Sequence, residues 1–566
     1  MNWELAIWPD RPQYRPGSLV TLVAAVVGPA NATGELQVSL YHRAAGLGQL
    51  TQPVQLDAEG RCRVSLTWCP PASEVWTAYG ADATLVVGLE CVTTATTALD
   101  IAPHWSCAPR YGFLTDFLPG QSAQDDVARL ETMARLHLNL VQFYDWMYTH
   151  YDYIPPQDVY VDTQGKTLDF SVVRRRVKLC RERGFTPMAY GSVYGGEEPF
   201  ADAHPEWLLY DGHGKPLHLG PYYIQDPSPD SGWRQYLLNS YKDALDIGFA
   251  GIHLDTYGSP KAGQKHDGRY VRLETVLPGL IADAQAQAEA ADPVEGGCTF
   301  NNVGGWPVEV MAKAPGSALY LEVWHPDETY RDLYEIVLRM RRLDNQRQPI
   351  LAAYLEHFAP DQHRPEGEMA GLRLAVATIF ASGGFHLLLG EGNGVLARAY
   401  YGDHGKLNPA EWEIVRAYWD FQTRYGPILA DPAALDVTNS NAGANCREAT
   451  FAGPEGATFS AKGLPGTIWT LLKEGADYRT VHLINLTGVE KPLWNSRQSP
   501  PPKLDGIRVQ LEYQRQPKAV WWASPDLDGG RPQSLAWQME YVEQTGLTLV
   551  AMVPHLHYWS MLVVED

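Results

Sequence analysis

A (β/α)8 barrel set between two β-domains is the fold that this sequence predicts, and three observations predict it. Near both ends of the 566-residue chain apolar and polar residues alternate with period two. Between those ends short apolar runs alternate with amphipathic helical stretches, the rhythm of a parallel sheet. The short runs number eight, the barrel count. A chain of this length also exceeds what one hydrophobic core organises, so the expected protein is multidomain, α/β plus β.

In residues 1–105, Leu36, Val38 and Leu40 alternate with Glu35, Gln37 and Ser39, and Val64, Leu66 and Trp68 repeat the pattern after the turn residues Pro29, Asn31 and Gly34. Successive strand side chains point to opposite faces, so each such strand has one apolar face to bury against a second sheet, as in an immunoglobulin-like β-sandwich. Residues 106–434 hold the eight barrel strands, expected at 111–117, 138–146, 186–194, 250–257, 298–303, 318–324, 349–358 and 384–390. Among the intervening helices, Phe170, Val173, Val177 and Cys180 share one face before Gly184. Trp233, Tyr236, Leu237, Tyr241, Ala244 and Leu245 form another stripe that stops near Gly248. No Gly-rich phosphate loop follows any strand, which favours a closed barrel of the TIM type over an open nucleotide-binding sheet. Residues 435–566 return to period two at 481–486, 507–513, 519–523 and 547–553, giving a C-terminal antiparallel β-domain, read as a second sandwich.

The net charge of −21 repels phosphate backbones and anionic bilayers, so neither nucleic acid nor membrane is an expected partner. No apolar run reaches the ~20 residues of a spanning helix. The N-terminus shows no basic-then-apolar leader, so the sequence as it stands reads as cytoplasmic, or as secreted if a leader has been removed. Seven cysteines without C-x-x-C spacing suggest neither a zinc site nor a disulfide framework. The 18 Trp and 30 Tyr suit sugar binding, because flat rings stack on the C–H faces of pyranoses.

In barrel enzymes the chemistry sits at the C-terminal ends of the strands. Acidic residues stand at or near six of them: Asp116, Asp145, Asp255, Glu322, Glu356 and Glu391. In Gly251-Ile252-His253-Leu254-Asp255-Thr256-Tyr257-Gly258, alternation turns His253, Asp255 and Tyr257 to one side; in Tyr320-Leu321-Glu322-Val323-Trp324 it does the same for Tyr320, Glu322 and Trp324. Two carboxylates aimed into one mouth among aromatic rings are what glycosidic cleavage requires: one stabilises or attacks the anomeric carbon, the other protonates the leaving oxygen. Residue chemistry alone leaves the two roles exchangeable.

These two runs resemble glycoside hydrolase family 66, the dextranases and cycloisomaltooligosaccharide glucanotransferases, in which the strand-four run holds the nucleophilic Asp and the strand-six run the acid/base. The 67-residue separation of Asp255 and Glu322 is similar to the family's. Tyr111-Gly112-Phe113-Leu114-Thr115-Asp116-Phe117, Gln142-Phe143-Tyr144-Asp145-Trp146, Asn302-Val303-Gly304-Gly305 and Gly383-Gly384-Phe385-His386 leading to Gly390-Glu391 extend the resemblance over the barrel, and Ala523-Ser524-Pro525-Asp526 carries it into the closing β-domain.

The resemblance implies a retaining enzyme acting on α-1,6-glucan (dextran and isomaltooligosaccharides), with Asp255 as nucleophile, Glu322 as general acid/base and Asp145 as a substrate-binding acid. It implies neither a metal nor an organic cofactor. From their strand-end positions Tyr190, Tyr257, Asn302, Trp324, His386 and Glu391 are expected to touch substrate, with Tyr194 a further candidate. His253 reads as a satisfied interior histidine, Asp116 as a loop brace or a sugar contact, and Glu356 as a surface charge. Cyclising members of the family carry an additional carbohydrate-binding module in the last part of the barrel, whereas here Glu391 and Pro409 lie 18 residues apart. An endo-dextranase yielding isomaltooligosaccharides is therefore expected ahead of a cyclising glucanotransferase. A non-catalytic glucan-binding protein is the remoter alternative.

Overall fold

The computed structural model describes residues 3–362 and 367–566. The N-terminal strands form two antiparallel sheets, one of Glu4–Pro9, Val20–Val27 and Arg61–Trp68, the other of Thr33–His42, Ala45–Gln55, Thr77–Val87 and Glu90–Ile101. The period-two residues do what alternation demands: Leu22, Ala24 and Val26 of one sheet and Leu36, Val38 and Leu40 of the other meet in a single core. Each Val or Leu so buried stabilises the fold by about 1.5–3 kcal/mol.

The middle of the chain forms an eight-stranded parallel sheet: β1 (Tyr111–Leu114), β2 (Leu140–Phe143), β3 (Thr186–Ser192), β4 (Gly251–Asp255), β5 (Gly297–Val303), β6 (Leu319–Glu322), β7 (Pro349–Ala352) and β8 (Phe385–His386). Neighbours in sequence are neighbours in space, and a parallel bridge from Phe113 to Gly390 nearly closes the circle. All eight expected strands are present; most are shorter, because hydrogen-bonded pairing ends where the loops diverge at the mouth. A helix follows each strand: α1 (Ala123–Ala134), α2 (Phe170–Glu182), α3 (Gly232–Ile247), α4 (Leu277–Ala291), α5 (Val308–Met311), α6 (Tyr330–Leu343), α7 (Glu368–Ser382) and α8 (Pro409–Leu429). The stripe Phe170, Val173, Val177 and Cys180 is buried on α2. Helix α3 starts where the Ser231 side chain accepts from the Trp233 N–H and stops at Gly248, whose φ of 114° lies in the left-handed region. At Gly251 a Cβ would stand 1.6 Å from the Gly297 carbonyl oxygen, so the close approach of β4 and β5 requires glycine.

The C-terminal strands form a four-stranded antiparallel sheet and a larger one that is antiparallel except where Phe459–Ser460 runs parallel to Ile468–Trp469. The expected runs appear as Tyr478–Asn485, Leu504–Glu512, Ala519–Ala523 and Gly546–Leu556. No helix among the described residues is long and apolar enough to cross a membrane.

A buried ion pair joins the N-terminal sheets to the barrel. Arg110, just before β1, clamps Asp100 through two hydrogen bonds of 2.7 and 2.9 Å, and its remaining donors reach the carbonyls of His137 and Pro12. Both side chains are fully buried, and Gln13 and Trp76 also donate to Asp100. Removing one partner strands the other charge in the interior, so Asp100→Ala is expected to cost about 3–5 kcal/mol in denaturant unfolding. A cost near that of a surface substitution would show that the pair does not hold the junction.

Candidate active site

The strand ends surround a cavity of about 520 Å³ that Asp255 and Glu322 both line. Asp255 closes β4, Glu322 closes β6, and β5 runs between them, so the side chain best placed to touch both comes from β5. It is Asn301: its Nδ2 donates to Asp255 Oδ1 at 2.7 Å and lies 3.2 Å from Glu322 Oε2. The two bridged oxygens are therefore no farther apart than those two contacts laid end to end. Each carboxylate has a second donor of its own. Tyr190 on β3 donates to Asp255 Oδ2 at 2.8 Å, and Tyr354, just beyond β7, donates to Glu322 Oε1 at 2.6 Å.

Burial and the nearby Glu322 push the Asp255 carboxyl up to about 7, against the opposing pull of the hydrogen bonds from Asn301 and Tyr190. Burial also holds the Tyr190 and Tyr354 hydroxyls far above their ordinary value, so both remain neutral donors. His253 sits below the site, with Nδ1 3.1 Å from the Tyr111 hydroxyl and 2.9 Å from that of Thr299. Burial lowers it to about 3, which keeps it neutral and leaves the carboxylates uncompensated from beneath. Tyr194 supports the wall, its hydroxyl accepting from the Tyr257 backbone N–H at 2.8 Å.

Asp145, Tyr190, Tyr257 and Trp324 all line the cavity. Asp145 has a φ of 46°, a conformation that non-glycine residues adopt uncommonly. Its Oδ1 stands 3.8 Å from Nε2 of His150, whose ring stacks on Tyr222 at 4.4 Å. Tyr144 stacks on Tyr401 at 4.3 Å, and Tyr400 extends that wall.

Three expected substrate contacts lie elsewhere. Asn302 points out of the barrel and donates to the carbonyls of Phe300 and Tyr320, because the alternation along β5 turns Thr299, Asn301 and Val303 to the other face. His386 is buried against the Ala353 carbonyl at 2.9 Å, outside the cavity. Glu391 accepts from the backbone N–H groups of Thr115 and Asp116 at 2.5 and 2.7 Å and pairs with Arg129, tying the exit of β8 to the exit of β1. Its charge fastens the barrel seam, and Asp116 belongs to the same brace. Glu356 is exposed.

Counting inward positions from Thr299 would have found Asn301. Tyr354 lies within the expected seventh strand run, but an uncharged ring there carries no strand-end signal of its own. His150 and Tyr400 sit on loops, Tyr222 opens the short strand Tyr222–Ile224 and Tyr401 opens a 3-10 turn; none belongs to a run long enough for periodicity to mark its inward face. Among the described residues no group of three or more His, Cys, Asp or Glu side chains is arranged to hold a metal ion.

Residues 9–563 match the family model described as glycosyl hydrolase family 66. The chain belongs to that family. Membership makes it a glycoside hydrolase. Among the relatives of this family 66 enzyme, a cycloisomaltooligosaccharide glucanotransferase of Niallia circulans is 22% identical over 708 aligned positions, which cover 99% of this chain and 72% of the relative. A dextranase of Streptococcus salivarius is 25% identical over 547 positions, 83% of this chain and 65% of the dextranase. The crystal structure of a Paenibacillus sp. cycloisomaltooligosaccharide glucanotransferase complexed with cycloisomaltoheptaose superposes with a TM-score of 0.89 at 21% identity, over 99% of each chain. That likeness establishes the shared fold.

The raised Asp255 carboxyl has a consequence for stability. Between the ordinary carboxylate value and about 7, the folded protein holds a proton that the unfolded chain has released, so stability from this site falls as pH rises through that window. Asp255→Asn removes the buried charge. Its melting temperature is expected to exceed the wild-type value at pH 8, with the gap closing toward pH 4. A gap that does not change with pH would contradict the raised value.

Proposed function

We propose that this family 66 enzyme is a retaining endo-dextranase, in which Asp255 is the nucleophile and Glu322 the general acid/base. The observation that carries the proposal is the Asn301 bridge, which bounds the approach of the two carboxylates. That bound holds for the one bridged pair of oxygens, and so short an approach supports the ~5–5.5 Å carboxyl spacing of direct displacement over the ~6.5–9.5 Å at which inverting enzymes leave room for a water.

In the first step an Asp255 oxygen bonds to the anomeric carbon as the glycosidic C–O bond breaks, and Glu322 gives its proton to the departing oxygen. In the second, Glu322 takes a proton from water, the hydroxide oxygen bonds to the same carbon, and Asp255 leaves. Two inversions retain the configuration. Asn301 and Tyr190 donate to both oxygens of Asp255 and hold it in line with the carbon it attacks. Asp145 and its neighbour His150 stand where the hydroxyls of the sugar being cleaved would bind, and the ring of Tyr257 supplies a face for its C–H groups.

The names of the dextranase and glucanotransferase relatives support α-1,6-glucan as substrate. Hydrolysis is favoured over cyclisation because residues 391–408 here close into a small hairpin, Gly394–Val395 against Gly405–Lys406, with no inserted module. The 708-position alignment of a 566-residue chain likewise means that the glucanotransferase carries sequence this chain lacks. Cyclising transfer is the second reading, and digesting dextran and separating linear from cyclic products decides between them. Reducing-sugar release that fails with clean protein would leave a glucan-binding role. We also divide the chain at 105/106 and 434/435, reading both flanking parts as sandwiches, the first of the immunoglobulin type.

Two substitutions test the roles. Asp255→Gly should abolish turnover, and azide should restore it with an activated α-glucoside as the inverted β-azide; failure of rescue at every azide concentration would remove the nucleophile assignment. Glu322→Gln should impair dextran far more than a substrate whose leaving group needs no proton. Because Glu322 helps hold the Asp255 carboxyl up, the acidic limb of kcat/KM for that activated substrate should also move to lower pH in Glu322→Gln. A limb that stays in place would mean that the two groups do not share a field.

A further inference from the structure

Beyond the catalytic cavity lies a second one of about 570 Å³. The two are continuous: Trp324, Tyr354, Ala399 and Tyr400 line both. The shared wall is the Glu322 side of the site, since Tyr354 donates to Glu322 and Trp324 follows it by two residues. Trp324 leaves 43% of its surface open there, an aromatic face without a protein partner over much of its area. The far wall comes from another part of the chain, the segment Leu493, Trp494, Asn495 and Ser496.

That segment is fastened to the loop immediately after Glu322. Thr329 and Leu493 form a β-bridge. The Trp494 backbone N–H donates to the Glu328 carbonyl at 3.0 Å, and its indole N–H donates to the Asp327 carbonyl at 2.8 Å. The Tyr330 N–H donates to the Pro492 carbonyl at 2.9 Å. A distant stretch of chain is thus held in register with the loop that follows Glu322. Asn495 Oδ1 accepts from the Glu356 N–H at 2.8 Å, which fixes the sense of its amide and leaves Nδ2 with no protein partner among the described residues. Arg398 is neutralised by Asp361 at 3.0 Å, with Glu356 at 3.7 Å, so the cavity offers polar groups without a net local cation.

Resting on the glucanase reading above, we infer that this second cavity binds glucosyl units on the leaving-group side of the cleaved bond, and that Asn495 is a specificity-determining residue for the acceptor. Three features point to it. The acid/base must stand beside the oxygen that joins the two halves of the substrate, so a cavity entered past Glu322 receives the half that departs. An open indole and an unpartnered amide donor match the C–H faces and hydroxyls of an uncharged sugar. The volume falls within the range of small-molecule sites. The same cavity receives the acceptor in the reverse sense, so it sets how often the glycosyl-enzyme is taken by a sugar hydroxyl in place of water.

The test uses the full chain with α-isomaltosyl fluoride as donor, which puts nothing larger than fluoride on the leaving side, and isomaltose as acceptor. Asn495→Ala and Asn495→Trp should hydrolyse the fluoride alone within about twofold of wild type, since no contact made in that reaction is removed. With isomaltose present, the ratio of transfer to hydrolysis should fall by about three- to tenfold in Asn495→Ala, the range of one lost hydrogen bond, and further in Asn495→Trp, which fills the cavity. An unchanged ratio in both variants, or a fall in fluoride hydrolysis that keeps step with the loss of transfer, would overturn the inference while leaving the glucanase reading standing. Wild-type protein that does not turn over the fluoride would overturn both.

Discussion

Two carboxylates that share one amide donor impose the constraint on which the rest of this molecule depends. Burial, and after it the like charge of Glu322 so close by, make ionising Asp255 costly, and the cost appears as its raised carboxyl. Asn301, Tyr190 and Tyr354 offset it by donating to particular oxygens, so each carboxylate is oriented as well as stabilised. The neutral His253 below adds no positive charge that would relax the pair.

Holding that geometry is the work of the barrel. The positions of Asp255, Asn301 and Glu322 follow from the parallel register of β4, β5 and β6, and a slip of one residue on β5 would bring Asn302 to the site instead. Among the described residues a single bridge, Phe113 to Gly390, joins the seam between β8 and β1, and Glu391 reinforces it by accepting two backbone N–H groups from the β1 exit. The buried Arg110–Asp100 pair does similar work at the junction with the N-terminal sheets. The Glu391 carboxylate, placed at a strand end, is thus engaged by the seam.

The parts outside the barrel reach the chemistry unequally. The N-terminal sheets meet the barrel through Arg110 and through the buried contacts of Asp420 and Arg424 on α8, whereas residues 493–496 are bound to the loop that follows Glu322. A reaction that divides a polymer needs a surface for each half. In this fold the barrel lines the first cavity, and a later stretch of chain completes the wall of the one beyond it.

Period-two alternation, helical stripes and the count of eight apolar runs determined the architecture, because they report which faces must leave water wherever the chain goes. The strand-four and strand-six runs likewise determined which two carboxylates face each other, since strand direction and alternation are local properties. Only the tertiary structure decided that Asn301 rather than Asn302 bridges them, that Glu391 and His386 are consumed by packing, and that His150, Tyr222, Tyr354, Tyr400 and Tyr401 complete the walls. The physical reason is that a loop side chain acquires its direction from contacts with segments far away in sequence, and no local pattern encodes which segments those are.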